Sequence, residues 1–302
     1  MTFADLPVHE DAKPYLIRDL ADSYELQVVP LKAPLTQKSN HRSLQEIRSV
    51  FGHIPIDRIE PSHCYDFYNA RHRTKAAVLT YQVLSHMYTK AVEWGYIKRH
   101  PLKGQVVLTR PPPRDRYVTD EELLAFRELA SPKLQAYLDL KLATGLPKED
   151  LLCLDRRDIQ EDGLHARRRK TKARPKVYAW DDEGLLAAIL ESVMAAHKGH
   201  VGCTRLFHTR DGKPYYEVDD KGHALGQPEG FNSMWQRLMR KWVSGNRERF
   251  TEHDIRAKSA SDTDLVHAQL LMDHVNSNTT ETIYRRKPKV VQILSHNGRE
   301  DA

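Results

Sequence analysis

Hydrophobic residues in the first third of the chain recur at helical intervals. One apolar face has spacings of three, three and one residues, at Leu44, Ile47, Val50 and Phe51. Gly52 follows this face and is a typical residue for a helix end. A longer run over residues 74–94 has the same periodicity and ends before Gly95. Residues 36–105 are therefore predicted to form a small helical domain. Residues 1–35 contain four prolines, which break any long helix, and form an N-terminal segment of undefined role.

The rest of the chain predicts a second domain that is helical with a little β-structure. Residues 106–115 contain three consecutive prolines flanked by arginines and are predicted to be a linker. A capping box at Thr119-Asp120-Glu121-Glu122 predicts the start of a helix. Two short β-strands, at 159–166 and 176–180, enclose a basic turn and predict a hairpin. Further helices are predicted at 134–143, 183–197, 229–243, 254–260, 263–272 and 278–285. The fold class is therefore mainly α with a small antiparallel β-sheet.

Charge placement favours a nucleic-acid partner. The chain has 302 residues, enough for two domains, and 47 Lys and Arg residues against 41 Asp and Glu give a net charge of +6. The excess is modest, but basic clusters recur along the chain at residues 71–75, 98–100, 110–116, 167–176 and 285–289. Such clusters attract phosphate backbones and make binding dependent on salt.

Cysteine use and hydropathy indicate the compartment. The three cysteines, at positions 64, 153 and 203, share no paired spacing, which favours a reduced intracellular setting. The first residues lack a basic segment followed by an apolar run. No apolar stretch approaches the roughly 20 residues of a membrane helix. We expect a soluble, cytoplasmic protein with no membrane partner.

Possible metal ligands occur close together once, at His197, His200, Cys203 and His208. Their spacing differs from the usual Cys/His zinc patterns, and a loop between a helix and a short strand is the simpler interpretation. No glycine-rich phosphate loop is present. We therefore expect neither a metal nor an organic cofactor. A metalloprotein remains the alternative, and metal analysis of the purified protein tests it.

The C-terminal fifth carries side chains that suit attack on a DNA phosphodiester without a metal. This reaction needs a nucleophile, cations that bind the charge of the transition state, and an acid for the leaving oxygen. The phenol of Tyr284 can attack phosphorus and conserve the bond energy in a phosphotyrosine. Arg256 offers a planar fork for two phosphate oxygens, and His253 lies on the same helical face. His274 can add a donor, and Lys170 in the predicted basic turn can reach the leaving 5′ oxygen.

In this order and context, the motifs resemble the tyrosine recombinase family, and the phage integrases in particular, over residues 36–295. His253-x-x-Arg256 matches the second box of the family, and Leu271-Met272-Asp273-His274 resembles its Leu-Gly-His signature. Lys170 matches the lysine of its β-hairpin, and Tyr284 takes the nucleophile position. Further segments that resemble the family lie at residues 51–61, 91–102 and 116–123.

The resemblance implies a helical, SAM-like core-binding domain over residues 36–105, the linker over 106–115, and a catalytic domain with a C-terminal tail over 116–302. It implies a site-specific recombinase, an integrase of a phage or another mobile element, that cuts and rejoins DNA through a 3′-phosphotyrosine. The partners implied are double-stranded DNA attachment sites, a homotetramer on synapsed DNA and accessory DNA-bending proteins. No cofactor is implied.

The first box of the family is altered in this chain. The family pattern is Thr-Gly-x-Arg-x-x-Glu/Asp, and the chain has Thr144-Gly145-Leu146-Pro147-Lys148-Glu149-Asp150. Pro147 has no cation, but proline fits a helix start, so we expect the fold to persist and cleavage to be impaired. Lys148 is turned by about 100° from that position and is a poor substitute. Two alternatives are therefore open: an integrase-like DNA-binding protein with weak or no cleavage, and a type IB topoisomerase that relaxes supercoils at any sequence.

Overall fold

The computed structural model describes residues 15–169, 176–197, 202–219, 224–273 and 277–287. Within these ranges the fold is mainly α with two small antiparallel sheets, so the predicted fold class is confirmed. The chain divides into two compact units, Met1–Pro112 and Pro113–Ala302. No helix within the described ranges is long and apolar enough to cross a bilayer.

The first unit is a helical bundle. Its helices are α1 (Ile17–Gln27), α2 (Pro34–Phe51), α3 (Pro61–Ala70) and α4 (Lys75–Glu93). Helix α2 ends before Gly52, as its apolar spacing predicts, and three of the four predicted face residues are buried while Val50 is exposed. Helix α4 begins where the hydroxyl of Thr74 accepts a hydrogen bond from the Ala77 amide at 3.3 Å.

Helix α1 was not predicted from the sequence. It lies inside the segment whose prolines were expected to break any long helix, but Pro14 and Pro30 fall outside its bounds. One face of α1 is fully buried against the core of the unit, at Ile17, Leu20, Ala21 and Tyr24. The prolines therefore delimit this helix instead of breaking it.

The second unit holds the remaining elements. Its helices are α5 (Asp120–Glu128), α6 (Pro132–Thr144), α7 (Lys148–Leu152), α8 (Leu185–Ala196), α9 (Glu229–Ser244), α10 (Glu252–Ser261), α11 (Leu265–Met272) and the short α12 (Ser277–Thr279), which continues into a π-helical turn, Thr280–Tyr284. The predicted capping box of α5 is confirmed, because Thr119 and Glu122 exchange hydrogen bonds of 3.2 and 3.0 Å.

A three-stranded antiparallel sheet carries the predicted hairpin. Its strands are β1 (Ile159–Gln160), β2 (Gly163–Ala166) and β3 (Lys176–Ala179), in the order β1-β2-β3. Strand β2 pairs with β3 as predicted, whereas the predicted first strand divides into β1 and β2 at a tight turn. A second sheet pairs β4 (Glu217–Val218) with β5 (Ala224–Leu225). The basic turn between β2 and β3 lies partly outside the described residues.

Helices α6 and α10 pack side by side in the core of this unit. The fully buried ammonium of Lys141 on α6 donates to the Glu252 carboxylate on α10, and to the Leu146 carbonyl at 2.7 Å. One side chain thus joins the end of α6, the following loop and the start of α10. This arrangement brings the loop at residues 145–147 against the helix that carries His253 and Arg256.

Candidate active site

Helix α10 presents the predicted histidine and arginine on one face. The helix begins at a capping box in which the Thr251 amide donates to the Asp254 carboxylate at 2.7 Å. Arg256 follows His253 by three positions, so both project from the same side of the helix. His253 is exposed, whereas Arg256 is only 3% exposed.

The guanidinium of Arg256 is held by backbone carbonyls. Its Nη1 donates to the Gly145 oxygen and its Nη2 donates to the Met272 oxygen at 2.9 Å. Gly145 is in the left-handed conformation at φ 60°, and an added Cβ would lie 2.8 Å from the Met272 side chain. Burial lowers the pKa of Arg256, while Tyr284 counteracts that effect; an arginine starts from so high a pKa that it stays charged.

The predicted nucleophile lies beside both of these side chains. The ring of Tyr284 is 5.1 Å from the ring of His253, measured between centroids, and 5.6 Å from the guanidinium carbon of Arg256. The Ser261 hydroxyl donates to the Tyr284 carbonyl at 2.9 Å and accepts from the Arg286 amide at 2.8 Å. The backbone around the tyrosine is therefore tied to the end of α10.

His253 is suited to accept a proton. Protein atoms packed against part of the otherwise exposed ring lower the pKa of His253. The Glu252 carboxylate counteracts this effect, and the charges of Arg286 and Arg256 add to it. The imidazole is thus neutral at pH 7, which is the form that can take a proton from the neighbouring phenol of Tyr284.

Two predicted site residues, Lys170 and His274, lie outside the described residues. The described chain ends close to both, at Arg169 and at Asp273. Asp273 is left-handed at φ 54° and follows the last residue of α11. Aspartate tolerates this conformation better than most residues, which accounts physically for Asp at a position where the family motif has Gly.

The altered first box starts the short helix α7. Pro147 is the N-cap residue, with φ −57°. The ammonium of Lys148 donates to the Asn232 side chain at 3.0 Å, so this neighbouring cation is engaged by α9. Asp150 is buried and accepts a hydrogen bond from the Arg169 amide at 3.0 Å, and its burial raises the pKa of its carboxyl group.

Sequence reasoning missed two cations in the same cleft. Arg168 and Lys176 line it together with Pro147 and Arg256. Lys176 donates to the carbonyls of residues 270 and 271, and burial lowers the pKa of its ammonium to about 8. The basic run at residues 167–176 indicated that this region carries charge, but it did not indicate which of its side chains enter the cleft. Those side chains are held by carbonyls more than 90 residues further along the chain.

The structure gives no support for a metal centre in the part of the chain that it describes. No group of three or more His, Cys, Asp or Glu side chains there could hold an ion. His197 is buried, and its Nδ1 is 3.0 Å from the Val193 carbonyl. His200, which belonged to the alternative metal set, lies outside the described residues.

Solved structures share this fold. Lambda integrase residues 75–356, crystallised as a dimer bound to a COC′ core site, has a TM-score of 0.74 at 17% identity, covering 92% of this chain and 100% of that chain. A lambda integrase tetramer bound to a Holliday junction has a TM-score of 0.73 at 16% identity, covering 94% of this chain and 81% of that chain. The Tn1549 transposon integrase in complex with circular intermediate DNA has a TM-score of 0.66 at 16% identity, covering 88% and 94%.

At the level of sequence, no protein-family model and no curated protein matches the chain. The similarity in structure nevertheless extends over about nine-tenths of the chain in each comparison. The chain therefore has the fold of the tyrosine recombinases lambda integrase and Tn1549 integrase.

Proposed function

We propose that this protein is a site-specific tyrosine recombinase, an integrase of a phage or another mobile element, that cuts and rejoins DNA through a 3′-phosphotyrosine. One observation carries the proposal: the Tyr284 ring lies beside both His253 and a buried arginine that is held by two backbone carbonyls. A nucleophile, a proton acceptor and a phosphate-binding cation thus occupy one place.

The proposed reaction assigns a role to each residue. The Tyr284 oxygen attacks phosphorus and its proton passes to His253, while Arg256 binds non-bridging oxygens of the phosphate. The bond from phosphorus to the 5′ oxygen breaks, and Lys170 protonates that oxygen. His274 donates a further hydrogen bond to the phosphate. A 5′ hydroxyl of a second strand then attacks the phosphotyrosine and releases the tyrosine.

The partners follow from the same proposal. The lambda integrase structures are a dimer on a core site and a tetramer on a Holliday junction. For this chain we propose double-stranded attachment sites as substrate, a homotetramer on synapsed duplexes, and assistance from accessory DNA-bending proteins. Residues 36–105 would act as the core-binding domain and residues 116–302 as the catalytic domain, in the cytoplasm of a bacterial cell.

The test begins without knowledge of the target sequence. Duplexes bound by the full chain are first selected from a randomised library. The selected sequence is then synthesised with a nick, so that the cleaved fragment is released, cannot be rejoined, and the covalent product accumulates. We expect a covalent protein–DNA adduct that survives denaturing electrophoresis and is absent for Tyr284→Phe. Equal results for parent and Tyr284→Phe in every assay would contradict the proposal.

A second candidate, an integrase-like DNA-binding protein with weak or no cleavage, is favoured by Pro147. Loss of a preorganised charge contact typically costs about 10²–10³ in rate. The parent is compared with Pro147→Arg on the selected, nicked duplex. Adduct formed only by Pro147→Arg would favour the binding protein, whereas similar rates would favour an active recombinase. Relaxation of supercoiled DNA that lacks the selected sequence would indicate a topoisomerase instead.

A further inference from the structure

Two arginines converge on one carbonyl in the cleft beside the candidate nucleophile. Arg256 Nη2 and Arg168 Nη1 each donate to the Met272 oxygen at 2.9 Å, and Arg168 Nη1 also lies 2.9 Å from the Asp273 oxygen. Guanidinium groups repel one another, so their approach needs an acceptor between them. At present that acceptor is a neutral backbone carbonyl.

The position of Arg168 is built by the first box itself. The amide of Arg169 donates to the buried Asp150 carboxylate on α7, which ties the chain after β2 to the helix that Pro147 begins. The Arg168 side chain consequently lines the cleft together with Pro147 and Arg256. A cation carried by the hairpin thus enters the cleft where the helix itself supplies none.

The cleft has an excess of positive charge and an unused donor. Three of its lining side chains are cationic, at Arg168, Lys176 and Arg256, and one is acidic, at Asp273. The carboxylate of Asp273 is 3.6 Å from the Arg168 guanidinium. Among the described residues, the buried Nε of Arg168 has no hydrogen-bond acceptor. A buried donor without a partner is costly, and an anion that accepts from it would remove that cost.

We propose that Arg168 supplies the second phosphate-binding cation of the active site, in place of the arginine that position 147 lacks. The inference rests on the proposed recombinase function and deepens it. A non-bridging phosphate oxygen is a stronger acceptor than a carbonyl because it carries charge. Arg168 and Arg256 therefore exchange their shared carbonyl for the scissile phosphate and neutralise the transition state from two sides. Cleavage then proceeds without an arginine at 147.

The test compares variants of the full chain on the selected, nicked duplex. Arg168→Gln keeps an amide donor for the carbonyls but removes the charge, and Arg168→Ala removes both. We expect adduct formation to slow by about 10²–10³ in each. Arg240→Ala, which removes the same charge from an exposed position on α9 outside the basic clusters, should stay within about threefold of the parent.

Two readouts separate phosphate binding from a structural role. If Arg168 acts as the missing cation, an arginine introduced at position 147 should compensate for its loss. The double variant Pro147→Arg, Arg168→Gln should then form adduct at least tenfold faster than Arg168→Gln alone. The same duplex with a methylphosphonate at the cleaved position has no charge there, so the deficit of Arg168→Gln relative to the parent should shrink below about tenfold. A deficit that persists in both readouts would show that Arg168 only holds the backbone, and would overturn the proposal.

The remaining outcomes keep the inference distinct from the proposed function. Arg168 variants that cleave at the parental rate overturn the inference and leave the recombinase standing. A parent that is inert while Pro147→Arg cleaves also overturns it, because Arg168 then fails to substitute. If the parent, Pro147→Arg and Tyr284→Phe all give no adduct, the proposed function itself fails, and the inference with it.

Discussion

At the scale of the residue, the site depends on backbone carbonyls as much as on side chains. Arg256 is oriented by the oxygens of Gly145 and Met272, and neither position reveals this role by its side chain. The glycine is required for a different reason, because its left-handed backbone ends α6 and turns the carbonyl towards α10. Gly145 would therefore affect the proposed reaction through the hydrogen bond that its carbonyl accepts from Arg256.

Gly145→Ala tests this dependence. The substitution forces a left-handed alanine and crowds the fully buried Met272 side chain, so we expect a loss of about 2–3 kcal/mol in the free energy of unfolding. Adduct formation should slow as well, because Arg256 loses its alignment. Gly184→Ala is the matched control: its φ is 71°, but open space surrounds the added Cβ. Urea denaturation should show a loss of about 1 kcal/mol in the free energy of unfolding for Gly184→Ala. Equal losses for the two variants would show that crowding of Met272 contributes nothing.

We expect buried His197 to make the stability of the second unit sensitive to acid. Burial lowers the pKa of His197 to about 4, against an ordinary value near 6.5. Between pH 6.5 and pH 4 the unfolded chain therefore binds a proton that the folded chain does not, and stability falls as the pH falls through that window. Between pH 6.5 and pH 4 we expect the free energy of unfolding of the parent to fall by on the order of 2 kcal/mol more than that of His197→Asn, because asparagine does not titrate. The control His267→Gln changes an exposed histidine, so its free energy of unfolding should vary with pH as that of the parent does. If the free energies of unfolding of the parent and of His197→Asn change in parallel with pH, His197 contributes no acid sensitivity.

At the scale of the element, predictions succeeded where the signal was local. Helices α2 and α5 were predicted because their apolar spacing and capping residues lie within the elements themselves. Helix α1 was not predicted, because the four prolines of residues 1–35 favour an irregular segment, although its buried face is as regular as that of α2. The first strand was predicted too long, because it was drawn across Asp162-Gly163, a dipeptide typical of the turn that divides β1 from β2.

Two of the three lysines in residues 163–179, Lys170 and Lys176, can be distinguished by experiment. We expect Lys170→Ala to slow adduct formation by about 10² or more on an ordinary duplex, because general acid catalysis typically contributes 10²–10⁴. A duplex with sulfur at the leaving 5′ position should restore the rate, since a thiolate leaves without a proton. Lys176→Ala, which removes contacts to the carbonyls of 270 and 271, should lose less than tenfold on both duplexes.

The opposite outcome would reassign the acid. If the sulfur substrate rescues Lys176→Ala and not Lys170→Ala, the proton comes from Lys176, whose pKa of about 8 suits a donor near neutral pH. The rate on the ordinary duplex would then fall as the pH rises above about 8, because the ammonium loses its proton.

At the scale of the whole molecule, the candidate site is assembled from distant parts of the chain. Tyr284, Arg256 and His253 were identified from their order near the C-terminus, because the chemistry of each residue type is visible in the sequence. Arg168 was not, because its acceptors lie 104 and 105 residues away and only folding brings them together. Each of the two compact units also has its own buried core, and basic clusters occur in both.

This distribution of charge predicts how DNA binding responds to salt. If each of the five basic clusters contacts at least one phosphate, the logarithm of affinity should fall against the logarithm of salt with a slope of about −4.5 or steeper. Fluorescence anisotropy with the selected duplex measures this slope, and Tyr284→Phe should share it because binding precedes chemistry. Arg99→Ala, in an exposed cluster of the first unit, should reduce the slope by about 0.9, whereas Arg18→Ala, exposed outside the clusters, should leave it unchanged. Equal slopes for the two variants would mean that the cluster lies in free solvent, and that the first unit binds DNA through another surface.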